Sequence, residues 1–193
     1  MTTKDSNKPL SIDQIIERLQ IKNTVVVDTA YSLCYSLIQQ EADRQVNLDG
    51  KANNFLGLIG VYITLVFGLG GLILKDIECF FWIVILILFY LGSLLFSFAA
   101  LFFSFQAMKA RSDYKTISEK DIFHEEMLKE NESVYKRYLS SHFWQVYRNN
   151  FTINELKGKE LKKSARMFLF SLVFLLVLII LLSLYTLQKG GMS

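Results

Sequence analysis

Three long stretches without a charged side chain constrain this chain more than any other feature. They run from Ala52 to Leu74, from Cys79 to Met108 and from Met167 to Gln188, and they contain 23, 30 and 22 residues. About 20 apolar residues make a helix that crosses the roughly 30 Å hydrocarbon core of a bilayer. A charge at the bilayer centre costs about 2.5–3.5 kcal/mol on insertion scales, so charge-free stretches of this length are typical of membrane spans. The sequence therefore predicts an all-α membrane protein with three transmembrane helices.

The basic residues predict how these helices are oriented. Residues 109–166 contain 13 Lys and Arg, whereas the loop 75–78 and the tail 189–193 contain one lysine each. The positive-inside rule then places the N-terminus in the cytoplasm and the C-terminus outside, with Cys34 and Cys79 on opposite sides of the membrane. The polar first fifty residues predict no cleavable signal peptide. The expected segments are N-terminal cytoplasmic helices (1–51), two spans (52–108), a cytoplasmic helical segment (109–166), a third span (167–188) and an external tail (189–193).

Local patterns predict further helix boundaries outside the spans. A capping box at Ser11–Gln14 predicts a short helix over Ile12 to Leu19, followed by a second helix from Val25 to Arg44. Ser118 is a plausible cap for a helix through Leu128. The residues Arg148–Asn150 predict a turn, and a capping box at Thr152–Glu155 predicts a helix that continues into the third span.

The sequence does not predict an enzyme, a cofactor or a metal site. The two histidines, His124 and His142, have no further ligand at metal-binding spacing, and no phosphate loop, nucleophile elbow or dinucleotide motif occurs. The three spans contain no Asp, Glu, His, Lys or Arg, which disfavours an ion-coupled transporter.

Two of the predicted spans carry a face of small residues. Such faces let membrane helices approach closely, so they pack on each other within one chain, pack between subunits, or line a narrow pore. The third span is rich in Leu, Ile, Val and Phe and is expected to face lipid. The small residues lie three or four positions apart, at Gly57, Gly60, Thr64, Gly68 and Gly71 in the first span and at Ser93, Ser97, Ala100 and Ser104 in the second.

The polar cluster before the first span resembles a motif of known membrane proteins. "DGKAN" at Asp49–Asn53 resembles the Asp-x-Lys-Ala element of the Pycsar transmembrane effectors, and the order of segments is similar to small SLATT-type effectors and to the DNA-regulated channel of the Hailong defence system. The resemblance implies an anti-phage effector of the bacterial inner membrane that depolarises the membrane under control of a nucleotide signal. A nucleotidyltransferase or cyclase encoded nearby would supply that signal. The residues that would then couple the signal to the spans are Asp49, Lys51, Asn53 and Asn54. The alternative is that they form only the solvent-exposed end of a helix.

Basic and aromatic residues near the predicted inner face admit three interpretations. They contact anionic membrane lipid, they bind an anionic ligand, or they contact a protein partner. In the second case the phosphates of a nucleotide or short oligonucleotide would meet Arg148, Lys157, Lys159, Lys162 and Lys163, while bases would stack on Trp144, Tyr147 and Phe151. A structural aromatic cluster is the alternative for these rings.

Three helices from one chain are too few to enclose a pore, so a homo-oligomer is expected, with a tetramer favoured. Together with the resemblance to defence effectors, this implies an oligomeric effector or ion channel in antiviral defence. The alternative is a non-conducting membrane scaffold that recruits a cytoplasmic protein.

Overall fold

The computed structural model describes residues 24–75, 77, 80–109 and 114–190, and all regular structure within these ranges is helical. The predicted helix over Ile12 to Leu19 lies outside the described residues. The helices are α1 (Thr24–Lys75), α2 (Phe80–Lys109), α3 (Glu119–Ile122), α4 (Glu125–Leu128) and α5 (Glu132–Gly190). Of these five, α1, α2 and α5 are long and apolar enough to cross a membrane.

Two helices are longer than the local patterns predict. The polar cluster at Asp49 lies within α1, not at a helix end, because α1 continues through it to Lys75. The predicted turn at Arg148–Asn150 is also wrong, because these residues lie inside α5. Neither region contains proline, and the polar side chains bond elsewhere in the chain, Asp49 to Lys157 of α5 and Asn150 to the backbone of Lys115, so they do not compete with the helix backbone. The predicted helix from Ser118 to Leu128 is instead split at His124 into α3 and α4.

The chain divides into two compact units. Unit 1 contains residues up to Val46 together with Asp113–Asn154, and unit 2 contains Asn47–Ser112 together with the residues from Glu155 onward. The divisions between the units at 46/47 and 154/155 fall inside α1 and α5, so both helices contribute residues to both units.

The core of unit 1 forms where the N-terminal part of α1 meets the N-terminal part of α5. Phe143 is 6% exposed, and its ring lies 5.5 Å from that of Tyr31 and 5.9 Å from that of Tyr35. At the surface, Lys136 Nζ lies 2.7 Å from Asp28 Oδ1 and also pairs with Glu132. These bonds, that to Asp28 first, hold the pKa of Lys136 well above its usual range, so the lysine stays positively charged at physiological pH.

Unit 2 contains the apolar parts of α1, α2 and α5. Its core includes Ile59 and Val66 from α1, Leu94 from α2 and Phe168 from α5. Many other Leu, Phe and Ile side chains of these helices are more than half exposed, as in Leu65, which is 64% exposed. An outward surface this apolar is typical of helices surrounded by lipid tails.

Candidate functional site

A cluster of three hydroxyl groups connects all three apolar helices in the interior of unit 2. The Tyr62 hydroxyl of α1 donates a hydrogen bond to the backbone carbonyl of Ser171 in α5 at 2.9 Å, and it lies 2.8 Å from Ser93 Oγ of α2. Ser171 Oγ donates to the carbonyl of Ser93 at 2.7 Å. Ser93 and Ser171 are both 0% exposed. Because buried hydroxyl groups need hydrogen-bond partners, these bonds fix which faces of the helices meet.

A second contact between small residues joins α2 to α5. Ser104 Oγ lies 2.7 Å from Ser164 Oγ, and Ser164 Oγ is 2.6 Å from the carbonyl oxygen of Ala100. Ser97 bonds to the carbonyl of Leu94 in its own helix. All four small residues predicted on α2 are therefore buried inside the unit, and their main partner is α5. The third span, which was expected to face lipid, has many exposed apolar side chains but also contributes the buried Ser171 to the interior of the unit.

The small face of α1 has a different position. Gly57, Gly60, Gly68 and Gly71 are exposed, and a Cβ atom built on any of them would meet no other atom within 4 Å. Thr64 is exposed in the same row and bonds to the carbonyl of Gly60. The two small faces thus do not pack on each other within the chain, which overturns that interpretation. The face of α1 is left open on the surface of the unit.

Asp49, the first of the predicted coupling residues, forms a buried ion pair with α5. Lys157 Nζ lies 2.6 Å from Asp49 Oδ1, and the two side chains are 1% and 16% exposed. A charged pair with so little access to water is held only where geometry is good, and removing one partner leaves the other charge uncompensated. The pair therefore locks α1 to α5 just before the apolar stretches begin. Lys51, Asn53 and Asn54, the other predicted coupling residues, are exposed.

The predicted ligand-binding residues fall into two groups. Trp144, Tyr147 and Arg148 belong to unit 1, where the rings of Trp144 and Tyr147 lie 5.3 Å apart and that of Phe151 lies 5.9 Å from Tyr147. The guanidinium carbon of Arg44 lies 5.5 Å from the centre of the Phe151 ring, which extends the row of neighbouring rings. Within unit 1 these side chains form one aromatic ladder along α5, with Arg148 beside it in the sequence.

The predicted lysines belong to unit 2. Lys159, Lys162 and Lys163 are exposed on α5, whereas Lys157 is buried against Asp49. Lys163 pairs with Glu160 at 2.6 Å and lies 5.6 Å from the centre of the Phe103 ring of α2. Three of the four lysines are thus presented at the surface, and the fourth is part of the interior.

Unit 1 contains polar contacts that sequence patterns did not indicate. Asn154, 0% exposed, donates to the carboxylate of Glu41 at 2.6 Å and to its backbone carbonyl at 3.1 Å. The hydroxyl of Tyr114 donates to Asn154. The side chain of Asn150 bonds to both the backbone N–H and the carbonyl of Lys115 at 3.0 Å. These bonds fasten the extended residues 114–118 to α5.

Replacing Asn150 with leucine removes both bonds to the backbone of Lys115. Because each side chain–backbone hydrogen bond contributes about 1 kcal/mol, the loss of both bonds should make the amide hydrogen of Lys115 exchange with solvent about thirtyfold faster. Hydrogen exchange followed by mass spectrometry measures this rate. Thr152→Val is the matched control, since Thr152 bonds only within α5, to the carbonyl of Arg148. Equal protection in both variants would contradict the role of Asn150.

Two signals in the sequence were available for the contacts that were missed. Ser164, Ser171 and Leu178 are spaced by seven residues, which is the repeat of a helix face that follows a neighbouring helix. Tyr62 is a polar-tipped residue in the middle of an apolar stretch, where its hydroxyl needs a partner. The partners of Asp49 and Asn154 gave no such signal, because they lie more than 100 positions away.

Among the described residues, no group of three or more His, Cys, Asp and Glu is placed to hold a metal ion. Comparisons with protein-family models, with curated proteins and with solved structures found no significant match for this chain.

Proposed function

We propose that this chain is a homo-oligomeric effector of the bacterial inner membrane that forms an ion path in antiviral defence. The observation that carries the proposal is the open glycine face of α1. Glycine costs about 1 kcal/mol relative to alanine within a helix, and no glycine described here has a positive φ that would require it. Four glycines on one exposed face of an apolar helix are best explained by close approach of a second helix in lipid.

The path itself is assigned to the space between subunits. Ser93, Ser97, Ala100 and Ser104 are used inside one chain, so they do not line a path between copies unless unit 2 opens. A tetramer remains the favoured assembly, because several copies are needed to surround a water-filled space. The α1 glycine face is proposed as the contact that holds neighbouring copies together around this space.

The signal is proposed to be a cytoplasmic nucleotide or short oligonucleotide, as the resemblance to defence effectors implies. In unit 1, the aromatic ladder of Trp144, Tyr147 and Phe151 offers stacking surfaces and Arg148 offers a positive charge. We assign the coupling role to Asp49 and Lys157, because their ion pair joins α1, which carries the glycine face, to α5, which carries the aromatic ladder.

Conductance across a planar bilayer tests the proposal. The purified protein should conduct, with a current that changes when a cyclic dinucleotide or a short deoxyoligonucleotide is added on the cytoplasmic side. Trp144→Ala should abolish that response while leaving membrane insertion unchanged. A protein that never conducts under any of these conditions would favour the alternative, a scaffold that recruits a cytoplasmic protein. The exposed apolar side chains of Leu33, Phe123 and Leu128 in unit 1 would then be its contact surface.

The proposed orientation, with the N-terminus in the cytoplasm, is tested through the two cysteines. In spheroplasts, a membrane-impermeant maleimide should label Cys79 in a Cys34→Ser variant but should not label Cys34 in a Cys79→Ser variant. After permeabilisation Cys34 should react, and faster as the pH rises. Burial raises the pKa of the Cys34 thiol, so the reactive thiolate is scarce at neutral pH. Labelling of Cys34 in intact spheroplasts would mean that the topology is inverted.

A further inference from the structure

We infer that a groove between α2 and α5 in unit 2 binds an anionic phospholipid, with an acyl chain against its apolar walls and the phosphate against lysines of α5. The groove has a volume of about 340 Å³ and is lined by Phe102, Phe103, Gln106, Leu156, Lys157 and Glu160. A second recess of about 400 Å³ adjoins it across Phe102 and Gln106 and ends at Lys109. This site is independent of the proposed nucleotide signal.

The apolar walls of the groove extend beyond the level at which α5 becomes charged. The contact between Ser104 and Ser164 places these two residues at the same height on α2 and α5. From this height α2 continues with Phe105 and Met108, whereas α5, which runs the opposite way, continues with Lys163 and Lys159. Apolar and basic side chains therefore lie side by side in the same layer of the structure.

A molecule that covers this layer must have an apolar part for the exposed side chains and an anionic part for the lysines. Phe102 is 56% exposed, Phe105 is 55% exposed and Leu156 is 52% exposed. The 30 residues of α2 span about 45 Å, which exceeds the roughly 30 Å hydrocarbon core. A helix longer than the core tilts or draws lipid along its apolar surface. A lipid in the groove would cover these side chains without requiring a further protein.

The charge around the groove selects an anionic headgroup. Residues 155–166 of α5 contain five basic and two acidic side chains, a net charge of +3. Lys159 and Lys163 lie three and seven positions after Leu156, so both are on the groove side of α5. Glu160, the acidic residue in the groove, is already paired with Lys163 at 2.6 Å. A lysine near a membrane surface attracts anionic lipid by roughly 1 kcal/mol, so Lys159 carries most of the preference, and Lys163, whose charge is partly offset by Glu160, adds to it.

Native mass spectrometry and thermal unfolding in neutral detergent test the site with two lipids that have the same acyl chains. Phosphatidylglycerol should bind and raise the midpoint of unfolding more than phosphatidylcholine, with about tenfold tighter binding. The double variant Lys159→Gln with Lys163→Gln should lose this preference. The control is Lys162→Gln with Lys189→Gln, which removes the same charge from another face and from the opposite end of α5. The control should keep most of the preference.

A separate variant tests the apolar part of the site. Phe102→Ser should weaken the binding of both lipids by a similar factor, because it removes a wall and leaves the lysines in place. Circular dichroism of each variant checks that the helices are retained.

The remaining outcomes would overturn the inference. Equal loss of preference in the control variant would reduce the site to diffuse positive charge. Glycerol phosphate or inorganic phosphate that displaces phosphatidylglycerol at equal concentration would identify a site for free phosphate. Unchanged lipid binding in both the lysine variant and Phe102→Ser would mean that the groove is not the lipid site.

Discussion

Replacing Lys157 with methionine should lower the free energy of unfolding by about 3 kcal/mol. Methionine keeps the length of the buried stem, but it leaves the Asp49 carboxylate, 16% exposed, without the ammonium group 2.6 Å away. Breaking a buried ion pair by removing one partner costs about 3–5 kcal/mol, because the remaining charge is poorly solvated. We take the lower end of that range because Asp49 retains some contact with water. Denaturant titration in detergent, followed by circular dichroism, measures the change.

Lys162→Met is the matched control for this prediction, since Lys162 lies on the same helix with an exposed side chain. It should change the free energy of unfolding by less than about 0.5 kcal/mol. Asp49→Asn should also be damaging, because it leaves the ammonium group of Lys157, the more deeply buried partner, without the carboxylate. The amide oxygen can still accept the hydrogen bond of Lys157, so we expect a loss similar to that of Lys157→Met. A reversed pair, Asp49→Lys with Lys157→Asp, should recover part of the loss. If Lys157→Met and Lys162→Met were equally mild, the pair would not lock the two helices.

Replacing Gly60 with leucine should convert the oligomer into monomers without unfolding the chain. The space around Gly60 is open within one chain, so a larger side chain meets no intramolecular obstacle. Between two chains, the same side chain would separate helix backbones that glycine allows to approach. We expect the dissociation constant to rise at least about tenfold, which corresponds to about 1.4 kcal/mol. Light scattering during gel filtration in detergent measures the mass of the protein alone.

Gly92→Leu is the control for an effect on folding within one chain. A Cβ atom on Gly92 would overlap the ring of Phe174, so Gly92→Leu should disrupt the packing of α2 on α5. The pair of variants separates an effect on assembly from an effect on folding. If Gly60→Leu left the mass of the complex unchanged, the glycine face would contact lipid and the proposed assembly would be wrong. Loss of conductance in Gly60→Leu together with loss of mass would connect the assembly to the ion path.

The helical fold and the three helices long and apolar enough to cross a membrane followed directly from the sequence. Charge-free stretches of 23, 30 and 22 residues correspond to apolar parts of α1, α2 and α5. These features are local, because hydrophobicity and backbone bonding within a helix need no distant partner. The small faces of α1 and α2 were likewise visible as spacings of three and four residues. The orientation in the membrane and the number of subunits are still predictions.

The position of each small face depended on contacts between distant residues. Periodicity shows that Ser93 and Ser104 share a face, but it does not show that Ser171 and Ser164 of α5 are their partners. The same limit applies to Asp49, whose partner Lys157 lies 108 positions away and was expected at the surface. The row of Gly57, Gly60 and Gly68 remained open for the same reason, since α5 and α2 satisfy each other and leave that side of α1 uncovered. Local spacing thus defines which residues share a helix face, whereas the packing of the three helices selects the faces that become interior. The reason is that hydrogen bonds and ion pairs in a dry interior form only between groups that the fold brings into contact.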